Sequence, residues 1–187
     1  MRKTIQIAAV FALSLSVGWA QEKPQEKPGT PEASLCPMHL QQQSSSQQQH
    51  HEGVVKRGDE VMGFSHEKTT HHFRLYEDGG AIEVTANRAD DTESRDAIRS
   101  HLSHIADMFA AGNFSTPILI HAQNPPGTEG MKRLKDAIQY KLETTERGAR
   151  IRILTKDPEA LRAVHEFLRF QIADHQTGDS TEVTKMP

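Results

Sequence analysis

The sequence predicts an α+β fold, a two-layer domain in which helices cover one face of an antiparallel sheet of four to five strands. Three observations support this prediction. Two segments with alternating apolar and polar residues are separated by a turn sequence, and the same arrangement returns later in the chain. Each pair of segments is followed by apolar residues at helical spacing. The repeated order of strand, turn, strand and helix suggests an internal duplication.

The first predicted hairpin comprises Thr69 to Tyr76 and Ala81 to Asn87, with two glycines in the turn between them. Successive side chains on a strand point to opposite faces of the sheet. We therefore expect His71 to share the helix-covered face with Phe73, and His72 to lie on the other face.

A helix is predicted next, from about Thr92 to Ala111, with acidic and hydroxyl residues at its start that favour capping. Its apolar stripe consists of Ile98, Leu102, Ile105 and Phe109. The segment from Phe114 to His121 is short and apolar and contains a proline, and Thr128 to Ala137 is expected to form a short helix.

The second predicted hairpin comprises Gln139 to Thr145 and Ala149 to Thr155, with Arg150 and Arg152 expected on the face away from the helices. Asp157-Pro158 is a strong helix start, since Asp caps the helix and Pro suits its first position. This helix is expected to run to about His175.

The rest of the chain divides into segments of different composition. Residues 1–20 are typical of a secretory signal peptide, with Arg2 and Lys3 before an apolar stretch that is too short to span a membrane. Residues 21–53 form a Gln/Ser/Pro-rich segment that we expect to be disordered. The α+β domain is expected over residues 54–178, with an edge strand within Val54 to Phe64, and residues 179–187 are expected to be a flexible C-terminus.

Charge and signal peptide limit the function classes. Without Arg2 and Lys3 the chain has 22 − 2 = 20 basic residues against 25 acidic ones, a formal charge of −5. This balance argues against a nucleic-acid partner and against binding to an anionic membrane surface. The expected location is periplasmic or secreted, with no membrane insertion after signal cleavage. Phosphate-binding loops, nucleophile elbows and zinc-protease motifs are absent from the sequence, so it leans away from an enzyme.

The only cysteine lies in the run Cys36-Pro37-Met38-His39. A thiolate, a thioether and an imidazole within four residues suit Cu(I), and imidazoles also suit zinc. The run resembles the Cys-Pro-Met-His segment of heavy-metal-binding modules that occur near copper efflux adaptors and metal-pumping ATPases. That resemblance implies metal ligation by Cys36, Met38 and His39. The flanking aromatic and proline of those modules are replaced here by Ser34 and Leu40.

The stretch from Met62 to Phe73 is rich in histidine, with the sequence MGFSHEKTTHHF. Together with Phe167 to His175 it resembles a family of exported bacterial proteins of uncharacterised role, which implies a shared domain and no defined activity. His66 can approach His71 if the residues between them turn. The next helix carries His101, His104 and Met108 on one flank, a row that suits a metal or haem edge and equally an ordinary border between core and solvent.

The sequence therefore predicts an exported protein that binds, buffers or delivers copper, with zinc as the alternative metal and a metal-handling protein as a possible partner. The candidate ligands are Cys36, Met38, His39, His66, His71, His72, His101 and His104. His121 lies near the same edge, whereas His165 and His175 favour capping or local backbone bonds. Two alternatives stay open, a haem or other cofactor protein and an interaction module that binds no metal.

Overall fold

A computed structural model describes residues 37–186 of the chain, with side chains from residue 46 onward. It has the predicted α+β architecture, with helices packed on a five-stranded sheet. The helices are α1 (Pro37–Met62), α2 (Thr92–Ala110), α3 (Ser115–His121), α4 (Thr128–Arg133) and α5 (Pro158–His175), with a 3₁₀ turn at Lys135–Ala137. The strands are β1 (Thr69–Tyr76), β2 (Gly79–Ala86), β3 (Ile138–Thr145), β4 (Gly148–Thr155) and β5 (Val183–Thr184).

The sheet has the strand order β3-β4-β2-β1-β5. The four long strands pair antiparallel, so each predicted hairpin forms and the two hairpins meet through β2 and β4. Each strand–strand–helix half thus contributes one hairpin, and the second strand of each hairpin lies at the junction between the two halves. The short β5 pairs parallel with the end of β1 and makes the sheet mixed.

Both long helices after the hairpins cover the same face of the sheet. The predicted stripe on α2 is buried, with Ile98 fully enclosed and Phe109 packed against Phe167 of α5. Caps form where the sequence predicted them: the side chain of Asp91 accepts from Ser94 N, and Asp157 accepts from two amides of α5. Over the described part of the chain, no helix combines the length and apolar content needed to cross a bilayer.

Helix α1 corrects two expectations. Residues 37–53 were expected to be disordered and Val54 to Phe64 to hold an edge strand, whereas one helix runs through both. The helix buries a narrow face formed by Val54, Gly58 and Met62, at a spacing of four residues. Hydrogen bonds fix the same half of the helix, since Arg57 Nε donates to Ile120 O of α3 at 2.7 Å. Packing against α3 and α5 therefore stabilises a helix whose Gln/Ser-rich composition gives little apolar signal.

The C-terminal segment also differs from the flexible end that we expected. Asp179 accepts from the amide of Phe73 and contacts His72 Nδ1, both at 2.9 Å. Beyond it, β5 continues the sheet next to β1. Backbone hydrogen bonds and one carboxylate thus hold this segment against the edge of the sheet, which a polar composition alone does not predict.

Candidate functional site

Three histidines from separate elements meet at one edge of the helix-covered face. His66 lies in the loop after α1, His71 lies on β1 and His175 is the last residue of α5. Their ring centroids are 5.0 Å apart for His66 and His71, 5.6 Å for His71 and His175, and 5.9 Å for His66 and His175. The ring planes are inclined by 10–20° to one another. We call these three residues the histidine cluster.

Strand parity places His71 in this cluster. His71 points to the helices with Phe73, as predicted, and both rings contact His175. His72 lies on the opposite face, where its Nδ1 pairs with Asp179. The predicted ligand His72 therefore does not belong to the cluster.

The imidazole of His66 is oriented by Asp59 of α1. Asp59 Oδ1 accepts the backbone amide of His66 at 2.9 Å and lies 2.6 Å from its Nδ1. A carboxylate accepts hydrogen bonds, so Nδ1 carries a proton, and in the neutral form of the ring the lone pair then lies on Nε2. Nε2 of His66 is buried and has no hydrogen-bond partner among the described residues. A carboxylate that fixes the tautomer of a histidine in this way is typical of metal-ligating imidazoles.

The other two members of the cluster are held neutral. Burial, followed by repulsion from His66, lowers the pKa of His71 from 6.5 to about 3. Burial and the neighbouring His71 and His121 lower the pKa of His175 well below 6.5. Nε2 of His71 is buried and, in the part of the chain with described side chains, has no partner. Neutral imidazoles keep a lone pair at neutral pH, which is the form that binds metal.

A narrow cavity of about 60 Å³ lies beside the cluster. Its walls are mostly apolar and include Met62, Phe73, Ile105 and Phe109. A volume of this size holds a few water molecules. Pockets that enclose a drug-sized or larger ligand start at about 300 Å³, so the cavity is too small for a haem in this conformation.

A second group, in which Asp174 pairs with His50 and His121, adjoins the histidine cluster through the contact between the His121 and His175 rings. His121 is almost fully buried, and its Nδ1 lies 2.5 Å from Asp174 Oδ2. The other oxygen of Asp174 lies 2.8 Å from His50 Nε2 on α1. Asp174 therefore connects α1, α3 and α5, and the His121 ring lies edge-on to His175 with centroids 5.0 Å apart.

The second ring nitrogen of His121 faces the side-chain amide of Gln171. As placed, Gln171 Oε1 lies 3.0 Å from His121 Nε2, and Gln171 Nε2 is buried without a partner among the described residues. Amide oxygen and nitrogen are assigned from the hydrogen-bond network. Exchanging the two lets the amide NH₂ donate to Nε2 while Nδ1–H donates to Asp174, which makes a neutral His121 consistent with both contacts.

The predicted row on α2 is only partly placed at the site. His101 lines the cavity and lies edge-on to Phe64 with centroids 5.6 Å apart, and burial followed by His104 lowers its pKa to about 4. His104 is exposed and does not line the cavity. The sulfur of Met108 accepts from the Thr116 hydroxyl at 3.5 Å.

Part of the Cys-Pro-Met-His run lies at the start of α1. Met38 and His39 belong to its first turn, and Cys36 lies outside the described residues. Gly58, whose α-carbon adjoins His66, follows His39 by 19 residues, a rise of about 28 Å along a straight helix. Met38 and His39 therefore lie at the opposite end of α1 from the loop that carries His66.

The sequence analysis did not assign three residues of the site, Asp59, Asp174 and His175, and it placed His121 near the same edge without counting it among the ligands. We favoured capping or backbone bonds for His175, and we had assigned Asp59 no role. The helical spacing of Val54, Gly58 and Met62 could have shown that α1 continues to Met62 and places Asp59 next to the loop of His66.

The ring nitrogens of the histidine cluster do not point to one common position. Over the residues with described side chains, no three His, Cys, Asp or Glu groups are placed to hold a metal ion. The arrangement is thus a group of closely spaced imidazoles, of which those of His71 and His175 are held neutral by burial. Comparison with known proteins gives no further assignment, since the chain matches no protein-family model, no curated protein and no solved structure.

Proposed function

We propose that this protein binds a transition-metal ion at the histidine cluster, copper in the first place and zinc as the alternative, and that it buffers or delivers that metal outside the cytoplasm. The observation that carries the proposal is the pair of buried, unpartnered nitrogens on adjacent rings, His66 Nε2 and His71 Nε2. A buried polar atom without a partner costs about 1–3 kcal/mol. A metal ion that accepts both lone pairs removes this cost.

The spacing of the rings supports the proposal. Imidazoles that share one ion through nitrogens at about 2.0–2.1 Å have ring centres roughly 5–6 Å apart. The three centroid distances of the cluster, 5.0, 5.6 and 5.9 Å, lie in this range. The rings therefore need rotation about their side-chain torsions and little movement of the backbone.

The choice of metal follows from the donor types. Imidazoles suit both copper and zinc, and the thioether of Met62, which lines the adjoining cavity, favours Cu(I). The Cys36-Pro37-Met38-His39 run adds a separate Cu(I)-type ligand set elsewhere in the sequence. The chain thus has one ligand set that includes sulfur and one made of imidazoles, and two such sets suit capture and delivery of a metal better than catalysis. The predicted signal peptide would direct export.

The proposal is tested by titrating untagged protein with Zn²⁺ and Cu²⁺ in a calorimeter. Cys36→Ala serves as the background, since it removes the thiolate of the other ligand set. We expect one ion per chain in this background, a loss of affinity of about 100-fold or more in His71→Ala, and about 10- to 100-fold in Asp59→Asn, which loses the carboxylate that orients His66.

The matched control is His104→Ala, because His104 is exposed and lies outside the cavity lining. Its affinity should equal that of the background. Equal affinities in His71→Ala and in the control would refute the site, and an absence of binding to either metal would refute the function.

A second prediction concerns Gly58, whose lack of a side chain makes room for His66. A β-carbon at Gly58 would lie 2.6 Å from Cε1 of His66. Gly58→Ala should therefore displace the His66 ring and lower metal affinity at least tenfold. Ala is a better helix former than Gly by roughly 1 kcal/mol, which offsets part of the cost of that displacement.

Gly53→Ala is the control for this substitution. It lies on the same helix, and its β-carbon would meet only the end of the Arg57 side chain, at 2.9 Å. We expect unchanged metal affinity in the control, measured by the same titration. If both alanine variants bind as the parent does, the position of the His66 ring is not important for binding.

A further inference from the structure

Strand β3 forms an open edge of the sheet. Within the described part of the chain it pairs with β4 on one side and with no strand on the other. Its eight residues, Ile138–Thr145, contain no proline or glycine. An unprotected edge of this length presents free backbone donors and acceptors to a further strand.

The side chains at the middle of β3 are arranged so that they can pair with those of β3 in a second copy of the chain. Leu142 is 38% exposed although it lies on the helix side of the sheet, opposite Ile151. Lys141 and Glu143 lie next to it on the other face. The strand therefore carries a positive side chain before the exposed leucine and a negative side chain after it.

A two-fold axis restricts how two copies of β3 can pair. Residues that face each other across an antiparallel pair lie on the same face, so the sum of their numbers must be even. Pairing centred on residue 141 sets Lys141 against Lys141, and pairing centred on residue 143 sets Glu143 against Glu143. Pairing centred on Leu142 sets each Lys141 against a Glu143 and each leucine against its own copy. Opposite charges stabilise such cross-strand pairs and like charges destabilise them.

We propose that β3 is a self-association surface that pairs antiparallel with β3 of a second copy, centred on Leu142. The two five-stranded sheets then form one continuous sheet with the helices on the same side. Both hydrogen bonds from Arg150 to Glu143 use Oε2, so Oε1 is open to the lysine of the second copy. This inference is independent of metal binding, because β3 and the histidine cluster belong to different parts of the sheet.

Sedimentation velocity over a range of concentrations tests the proposal. The parent chain should dimerise reversibly. Lys141→Glu sets Glu against Glu143, and Glu143→Lys sets Lys against Lys141, so each variant alone should dissociate at least ten times more readily. Lys56→Glu, the same charge change at an exposed position of α1, should dimerise like the parent.

Mixing the two variants provides the decisive result. In a mixed dimer, Glu at position 141 of one copy faces Lys at position 143 of the other, and the second pair is the natural Lys141 and Glu143. Dimer should therefore return when the two variants are combined in equal amounts. A parent chain that stays monomeric to millimolar concentration, or variants that stay monomeric on mixing, would overturn the proposal.

Discussion

Lowering the pH from 7.5 to 5 is expected to reduce the free energy of unfolding by about 4 kcal/mol, because buried imidazoles of the site resist protonation. The pKa of His71 is lowered by burial and by His66 to about 3, and the pKa of His101 by burial and by His104 to about 4. At pH 5 each is protonated in the unfolded chain and neutral in the fold, a difference of roughly 2 kcal/mol per histidine. Domains of this kind have total stabilities of about 5–15 kcal/mol, so the expected loss is large.

The sign follows from proton counting. The folded state binds fewer protons than the unfolded state wherever the pH lies between the folded and unfolded pKa values, so stability rises with pH in that window. For His71 the window extends from about 3 to 6.5. The stability is therefore complete above pH 6.5 and decreases as the pH falls. His175, whose pKa burial also lowers, adds to the loss in the same direction.

His71→Phe tests this expectation without leaving a void, since the ring lies among aromatic neighbours that include Phe64 and Phe73. Urea denaturation at both pH values should show that the substitution removes about 2 kcal/mol of the pH dependence. His104→Gln, at an exposed position of α2, should change the dependence only slightly, because burial is the larger cause of the lowered His101 pKa and His104 the smaller one. Equal pH dependence in the parent and in His71→Phe would contradict the neutral, buried state assigned to His71.

The extent to which the fold followed from the sequence depended on local signals. The four long strands and the helices α2 and α5 were predicted to within a few residues, because alternation, apolar stripes and caps such as Asp157 depend on residues that are close together in the sequence. Helix α1 was missed because only three of its residues from position 46 onward are buried, one of them Gly58, and because α3 and α5 supply the packing that holds it. Contacts between elements that are distant in the sequence cannot be predicted from the spacing of residues within one segment.

The same distinction applies to the site. Strand parity separated His71 from His72 correctly, because it depends only on alternation along one strand. The approach of His175 and His121 depends on how α5 and α3 cross the sheet, which spacing along the chain does not fix. His104 was grouped with His101 by its angle around the helix. The border between the covered and the exposed face of α2 passes between these two side chains, so His101 is partly buried and His104 is exposed.

Arg152 shows where strand parity places a residue correctly but does not give its burial. It lies on the face away from the helices, as expected, but its side chain is only 2% exposed. The guanidinium donates to Gly80 O at 2.5 Å and to Asp78 at 3.0 Å, and it lies 4.7 Å from the centre of the Tyr76 ring. The sulfur of Met186, near the C-terminus, closes over it at 3.3 Å. A planar group with several donors suits this set of partners.

Arg152→Ala is therefore expected to lower the free energy of unfolding by about 3 kcal/mol, because it leaves the Gly80 carbonyl unpaired and opens a void in a packed position. Arg150→Ala, two residues away on the same face, should cost less than about 1 kcal/mol, since Arg150 is 31% exposed and its pair with Glu143 is near solvent. Urea denaturation of both variants at neutral pH measures the difference. Arg152→Lys should fall between them, because one ammonium keeps the charge but cannot reach Gly80 O and Asp78 together. If the two alanine variants have equal stability, the enclosed guanidinium contributes no more to the fold than a surface ion pair does.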